Sequence, residues 1–106
     1  MQGYALATGE NIGYKIGQKR FYFVLTDSLS YYETEESFTS GSKPIGIILL
    51  EEFSISKNDS RGKFQLAVHA YPLSVQLTVE SSEVLNKWLE AFSHLSKQSF
   101  LPHFSH

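Results

Sequence analysis

The stretch Glu80-Ser81-Ser82-Glu83-Val84-Leu85-Asn86-Lys87-Trp88-Leu89-Glu90-Ala91-Phe92-Ser93-His94-Leu95 decides the fold. Val84, Leu85, Trp88, Leu89, Phe92 and Leu95 recur at three- and four-residue steps, which gathers them into one apolar stripe of an α-helix. Asn86, Lys87, Glu90 and Ser93 fall on the opposite side. A hydroxyl from Ser81 or Ser82 can accept a hydrogen bond from an orphan N–H of the first turn, and Glu83 in that turn complements the helix dipole. Beyond the stripe, Ser96 to His106 contains Pro102 and reads as a frayed or loosely packed tail.

Upstream the period drops from helical to two. Lys19 to Thr26 (KRFYFVLT) is the clearest strand, dense in aromatic and β-branched residues. Asp27-Ser28 reads as a tight-turn pair leading into Leu29-Ser30-Tyr31-Tyr32, so the two segments form a hairpin. Gly3 to Thr8 suits a first strand. Gly9 to Gln18 carries three glycines in ten residues and reads as a loop. Glu33 to Pro44 is polar, acidic at first, and reads as a long mobile loop. Ile45 to Leu50 and Phe53 to Ser56 are short strands broken at Glu51-Glu52. Asn58 to Gly62 is a turn cluster. Phe64, Leu66 and Val68 alternate with polar or small neighbours, and Val75, Leu77 and Val79 do so after a Tyr71-Pro72 turn. Seven short strands separated by turns indicate an antiparallel barrel or sandwich.

Bulk properties narrow the class. With 106 residues there is room for one domain and one modest core. A hydrophobic content of 42% and an aromatic content of 14% are too high for a disordered chain. No uncharged apolar run reaches the length of a transmembrane helix. Met1-Gln2-Gly3-Tyr4 lacks the basic and apolar regions of a signal peptide. The count of 0 cysteines excludes a disulfide scaffold and thiolate metal sites, and it fits an intracellular domain. A net charge of −2 provides no global field for nucleic acid or anionic membrane, so any anion site is local.

This strand order, ending in one tryptophan-bearing helix, resembles a pleckstrin homology (PH) domain. Gly3-Tyr4-Ala5-Leu6 resembles the family's opening strand, and Lys19 to Asp27 its second. Leu29-Ser30-Tyr31-Tyr32 is similar to the third, and Lys43-Pro44-Ile45-Gly46-Ile47-Ile48 to the start of the fourth. Glu80 to Glu83 with Trp88 to Phe92 resembles the C-terminal helix. The resemblance implies a mainly β fold: a PH-like barrel of seven antiparallel strands in two near-orthogonal sheets, capped by a C-terminal amphipathic helix. Its expected extent is residues 1–97, with 98–106 a loosely ordered tail. Trp88 then plugs the open end of the barrel.

The resemblance also implies a non-catalytic binding role, often to phosphoinositide headgroups at the cytoplasmic membrane face. Ring phosphates need charge-assisted donors on rigid strands. Lipid-binding members supply one basic residue from the first strand and a basic-x-Arg pair opening the second. Here those positions fall on Ala7, Gln18 and Arg20, so only Arg20 matches. Tyr31 matches a third-strand tyrosine, and Lys15 and Lys43 can approach from neighbouring loops, completing the expected inner pocket. Glu33, Glu35 and Glu36 crowd the same loop and oppose a highly charged headgroup. A second arrangement follows from strand alternation, with Lys19 opposite in direction to Arg20 and joined by Arg61 and Lys63 in an outer basic rim. Ile12, Tyr14 and Ile16 in the adjoining loop would contact the bilayer.

Other chemistry is poorly represented. His69, His94, His103 and His106 are scattered without the spacing of a metal site. Gly9, Gly13 and Gly17 lack a phosphate-loop pattern, no nucleophile–base pair is evident, and no cofactor is expected. Basic-aromatic interleaving at Lys19-Arg20-Phe21-Tyr22 is better explained by hairpin packing than by nucleic acid. The expected function is weak recruitment of a larger intracellular protein to phosphoinositide or anionic membrane, giving a cytoplasmic, peripheral location. The alternative is a protein-interaction module, docking to a small GTPase or an adjacent catalytic domain, without significant lipid binding.

Overall fold

The computed structural model describes residues 1–8, 19–58, 62–70 and 73–100. Seven strands form one antiparallel sheet in the order β4-β3-β2-β1-β7-β6-β5. They are β1 (Gln2–Thr8), β2 (Lys19–Leu25), β3 (Ser28–Tyr32), β4 (Gly46–Leu49), β5 (Ser54–Asn58), β6 (Phe64–Ala70) and β7 (Leu73–Val79). The hydrogen-bonded ladder is continuous, because β1 pairs with β2 on one side and β7 on the other. β4 and β5 are its two edges. The seven expected antiparallel strands thus form one open sheet, with β1 joining the β2–β4 half to the β5–β7 half.

Two helices complete the chain: α1 (Glu35–Thr39) and α2 (Ser82–Phe100). Ser81 caps α2, its Oγ accepting from the Val84 amide at 3.2 Å. The helix continues five residues past Leu95, into the segment read from sequence as tail. Leu85, Trp88 and Phe92 of its stripe are fully buried, and Val84, Leu89 and Leu95 are partly buried against the core. The helix packs mainly on β6 and β7. Trp88 has 0% exposure, lies beside Phe92 with ring centroids 6.2 Å apart, and faces Gly3 of β1.

The core follows the strand alternation. Ala5 and Ala7 from β1, Phe21 and Phe23 from β2, Leu29 and Tyr31 from β3, and Ile48 from β4 point inward. Leu66, Val68, Val75 and Leu77 meet them from β6 and β7. No polar or charged side chain is buried among the described residues.

The Glu33–Pro44 segment corrects the expectation of a long loop, because it contains α1. Thr34 is its N-cap, the side-chain oxygen accepting from the Ser37 amide at 3.1 Å, with Glu35 and Glu36 in the first turn. Its far end closes with the Ser42 amide donating to the Ser37 carbonyl and the Gly41 amide to the Phe38 carbonyl. That double closure needs a left-handed residue, and Gly41 supplies it at φ 86°.

Candidate functional site

The outer face of the β1–β3 half is built by the residues that alternate with the core. Tyr4 pairs with Tyr22, and Tyr22 pairs with Tyr32, so three tyrosines line up across three strands. Tyr4 and Tyr22 meet edge to face at 5.0 Å. Phe38 of α1 lies against Tyr22 and Tyr32 at 5.9 and 5.1 Å, which seats the short helix on this face. Two hydroxyl contacts fix the row. Gln2 Nε2 donates to the Tyr22 hydroxyl at 2.7 Å, and the Glu35 amide donates to the Tyr4 hydroxyl at 2.9 Å.

Arg20 is exposed at the start of this face, paired across from Leu6. Its guanidinium carbon stands 4.2 Å from the centroid of the Tyr4 ring. At that distance the contact is a cation–π attraction. It holds the guanidinium over a rigid strand residue instead of leaving it on a free stem. Beside it lies an open groove of about 360 Å³ lined by Tyr4, Ala5, Leu6, Arg20, Thr78, Val79 and Glu80. The groove sits where β1 passes between β2 and β7. A preorganised guanidinium at its rim can donate a fork of N–H groups to a phosphate or carboxylate. Glu80 brings one carboxylate to the same lining and lowers its appetite for a multiply charged anion.

Of the residues expected to join Arg20 in the inner pocket, Tyr31 turns to the opposite face of the sheet. Tyr31 is 6% exposed and packs between Phe21 and Phe23, with centroid distances of 5.0 and 5.8 Å. It therefore occupies the core face, and the third-strand tyrosine on Arg20's face is Tyr32. Lys43 is exposed on the segment joining α1 to β4, with β3 lying between β4 and β2. Lys15 lies outside the described residues.

For the outer rim, Lys19 is partly buried opposite Ala7, on the face away from Arg20. Lys63 is exposed one residue before Phe64, which pairs with Val79. Two strands, β1 and β7, separate β2 from β6. Arg61, together with Ile12, Tyr14 and Ile16, lies outside the described residues, as do His103 and His106. Of the groove lining, sequence reading reached only Arg20, and Tyr4 and Glu80 are among the residues it missed. Tyr4 was discoverable as an outward, even-numbered position of β1, while Glu80 required the β1–β7 register. Among the described residues, no cluster of three His, Asp or Glu side chains could hold a metal ion, and no helix is long and apolar enough to cross a membrane.

An open antiparallel sheet closed by one amphipathic helix, with its one groove-bound arginine displayed on a strand, defines a small binding module. Residues 1–97 match the family model for the PH domain, and the chain belongs to that family. PH domains are generally non-catalytic modules of signalling proteins that bind phosphoinositides or proteins. The fold is similar to that of the PH domain of human TBC1 domain family member 2 (TM-score 0.72, 17% identity), over 100% of this chain and 85% of that one. It is also similar to the PH domain of human oxysterol binding protein-related protein 11 (TM-score 0.66, 21% identity), over 94% and 81% of the two chains. An activated truncation of Vav1 matches with TM-score 0.74 and 15% identity over 92% of this chain, which spans only 26% of the Vav1 chain. No curated protein sequence matches the chain.

Proposed function

We propose that this PH domain is a non-catalytic module that adds weak, low-selectivity contact with anionic lipid, including phosphoinositides, to the membrane recruitment of a larger protein. The observation that carries the reading is the exposed Arg20 guanidinium held over Tyr4 at the edge of an open groove. One basic residue near an anionic surface contributes about 1 kcal/mol. Binding at this level acts through avidity with other domains or copies rather than alone. Such a module would work at the cytoplasmic membrane face as a peripheral component.

Glu80 favours a second reading, a protein-docking PH domain without lipid affinity, since a groove offering both charges suits a polar peptide surface better than a phosphate cluster. Vesicle sedimentation separates the two. Neutral phosphatidylcholine vesicles are compared with vesicles carrying phosphatidylserine or phosphoinositides, at low salt. The lipid reading expects sedimentation with both anionic sets and a roughly fivefold loss on Arg20→Ala, the equivalent of about 1 kcal/mol. No sedimentation at low salt leaves the protein-docking reading standing.

A further inference from the structure

The feature that Arg20's groove leaves unexplained is β4. It is an edge strand, paired with β3 alone among the described residues. Ile45, Ile47 and Leu49 are 51%, 50% and 65% exposed, and they are three of the four large apolar side chains exposed among the described residues. The alternating Ile48 and Leu50 are buried at 2% and 5%. Sheet edges are ordinarily blunted by a charge, a proline or a bulge along the strand. From Gly46 to Leu49 this edge has no charge and no proline. Its irregularity comes just before the strand, where the Ile45 amide donates to the Tyr31 carbonyl while Gly46 pairs with Tyr31. Its charges stand at the two ends: Lys43 before the strand, Glu51 and Glu52 after it, all exposed.

Along this edge and its two flanks the exposed residues Lys43, Ile45, Ile47, Leu49 and Glu51 follow one another, with opposite charges at the ends and an apolar middle. We propose that β4 is a self-recognition edge, through which two copies of this chain pair antiparallel about a two-fold axis at Ile47. In that register Ile47 meets Ile47, Ile45 meets Leu49, and the Lys43 end of each copy faces the Glu51 end of the other. Each pairing is of a kind that stabilises antiparallel strands: β-branched or aliphatic side chains opposite one another, and opposite charges at the flanks. The contact is isologous, so the same patch satisfies itself and the assembly closes at two copies. A parallel arrangement would set Lys43 against Lys43 and Glu51 against Glu51. A bilayer suits the stripe less well, because Glu51, Glu52 and Asp27, which precedes the residue paired with Leu49, would face anionic lipid.

One strand of this length buries less surface than the roughly 1,200–2,000 Å² of a stable interface. The dimer is therefore weak and concentration-dependent, and its use is to present two Arg20 grooves together. The inference does not depend on what those grooves bind.

Sedimentation velocity without lipid, from about 10 μM to about 1 mM protein, tests it. The wild-type chain is expected to shift from monomer toward dimer across that range. Ile47→Lys, which places two lysines together on the axis, is expected to stay monomeric throughout, and Leu49→Lys to do the same; circular dichroism confirms that each is folded. Lys43→Glu is expected to weaken association at least tenfold, and the double substitution Lys43→Glu/Glu51→Lys to restore it. A wild-type chain that stays monomeric overturns the proposal, as does a dimer indifferent to Ile47→Lys and Leu49→Lys, or a charge swap that restores nothing. A monomer whose vesicle binding falls on Ile47→Lys overturns it in favour of bilayer contact.

Discussion

Tyr31 and Gly46 face each other across the β3–β4 ladder, and the phenol of Tyr31 occupies the space in which a side chain at Gly46 would begin. Tyr31 has little freedom to withdraw, since Phe21 and Phe23 hold its ring. Gly46→Ala is expected to destabilise the domain by about 1–3 kcal/mol, the range for overpacking a filled core. Urea unfolding measures this. Tyr31→Leu in the same background should make the two losses less than additive, because both act on one contact. An alanine variant as stable as wild type would mean that the ring moves freely.

Trp88 is expected to be the most sensitive single position. Its side chain is fully buried against Phe92 and Gly3, and Trp88→Ala should cost about 3–5 kcal/mol. The indole Nε1 is buried without a hydrogen-bond partner among the described residues. Trp88→Phe therefore forfeits volume but no hydrogen bond, and should cost about 1–3 kcal/mol. Thermal unfolding of both variants checks the order; a phenylalanine variant as damaged as the alanine one would refute it.

At the N-terminus of the same helix, Ser81→Ala removes the acceptor for the Val84 amide. The expected loss is about 1 kcal/mol, typical of an N-cap hydroxyl. Asp at this position should retain most of the stability, as its carboxylate accepts the same bond and favours the positive end of the helix. Denaturant midpoints for the two variants that coincide would argue against a capping role.

These features differ in how far sequence alone reaches them. The stripe around Trp88 and the alternation in β2, β6 and β7 are local and repeated, so they read directly. Helix α1 is too short to show a period, although Thr34 followed by Glu35 and Glu36 carries the chemistry of a capped first turn. The face of Tyr31 depends on hairpin register. With Asp27 and Ser28 as the two turn residues, Thr26 would pair with Leu29 and Tyr31 would share Arg20's face. In the structure Leu25 pairs with Leu29, and the Thr26 amide donates to the Ser28 carbonyl across Asp27. That one-residue shift turns every β3 side chain over. It sends Tyr31 to the core and Tyr32 to the tyrosine row. The groove beside Arg20 was further from reach, since it forms only when β7 is laid against β1.

Tyr4 has two roles on that face, and one substitution can separate them. Its ring lies under the Arg20 guanidinium, while its hydroxyl accepts from the Glu35 amide at the first residue of α1. Tyr4→Phe keeps the ring and deletes the acceptor. Stability should fall by no more than about 1.5 kcal/mol, because the bond is exposed and water can replace it. Hydrogen exchange at Glu35 to Phe38 should quicken, while Arg20-dependent sedimentation with anionic vesicles stays within twofold of wild type. Tyr4→Leu removes ring and hydroxyl together and should reduce both readouts. If Tyr4→Phe lowered vesicle binding as much as Tyr4→Leu, the hydroxyl or α1 itself would be the contributing element, and the aromatic shelf beneath Arg20 would lose its assigned role.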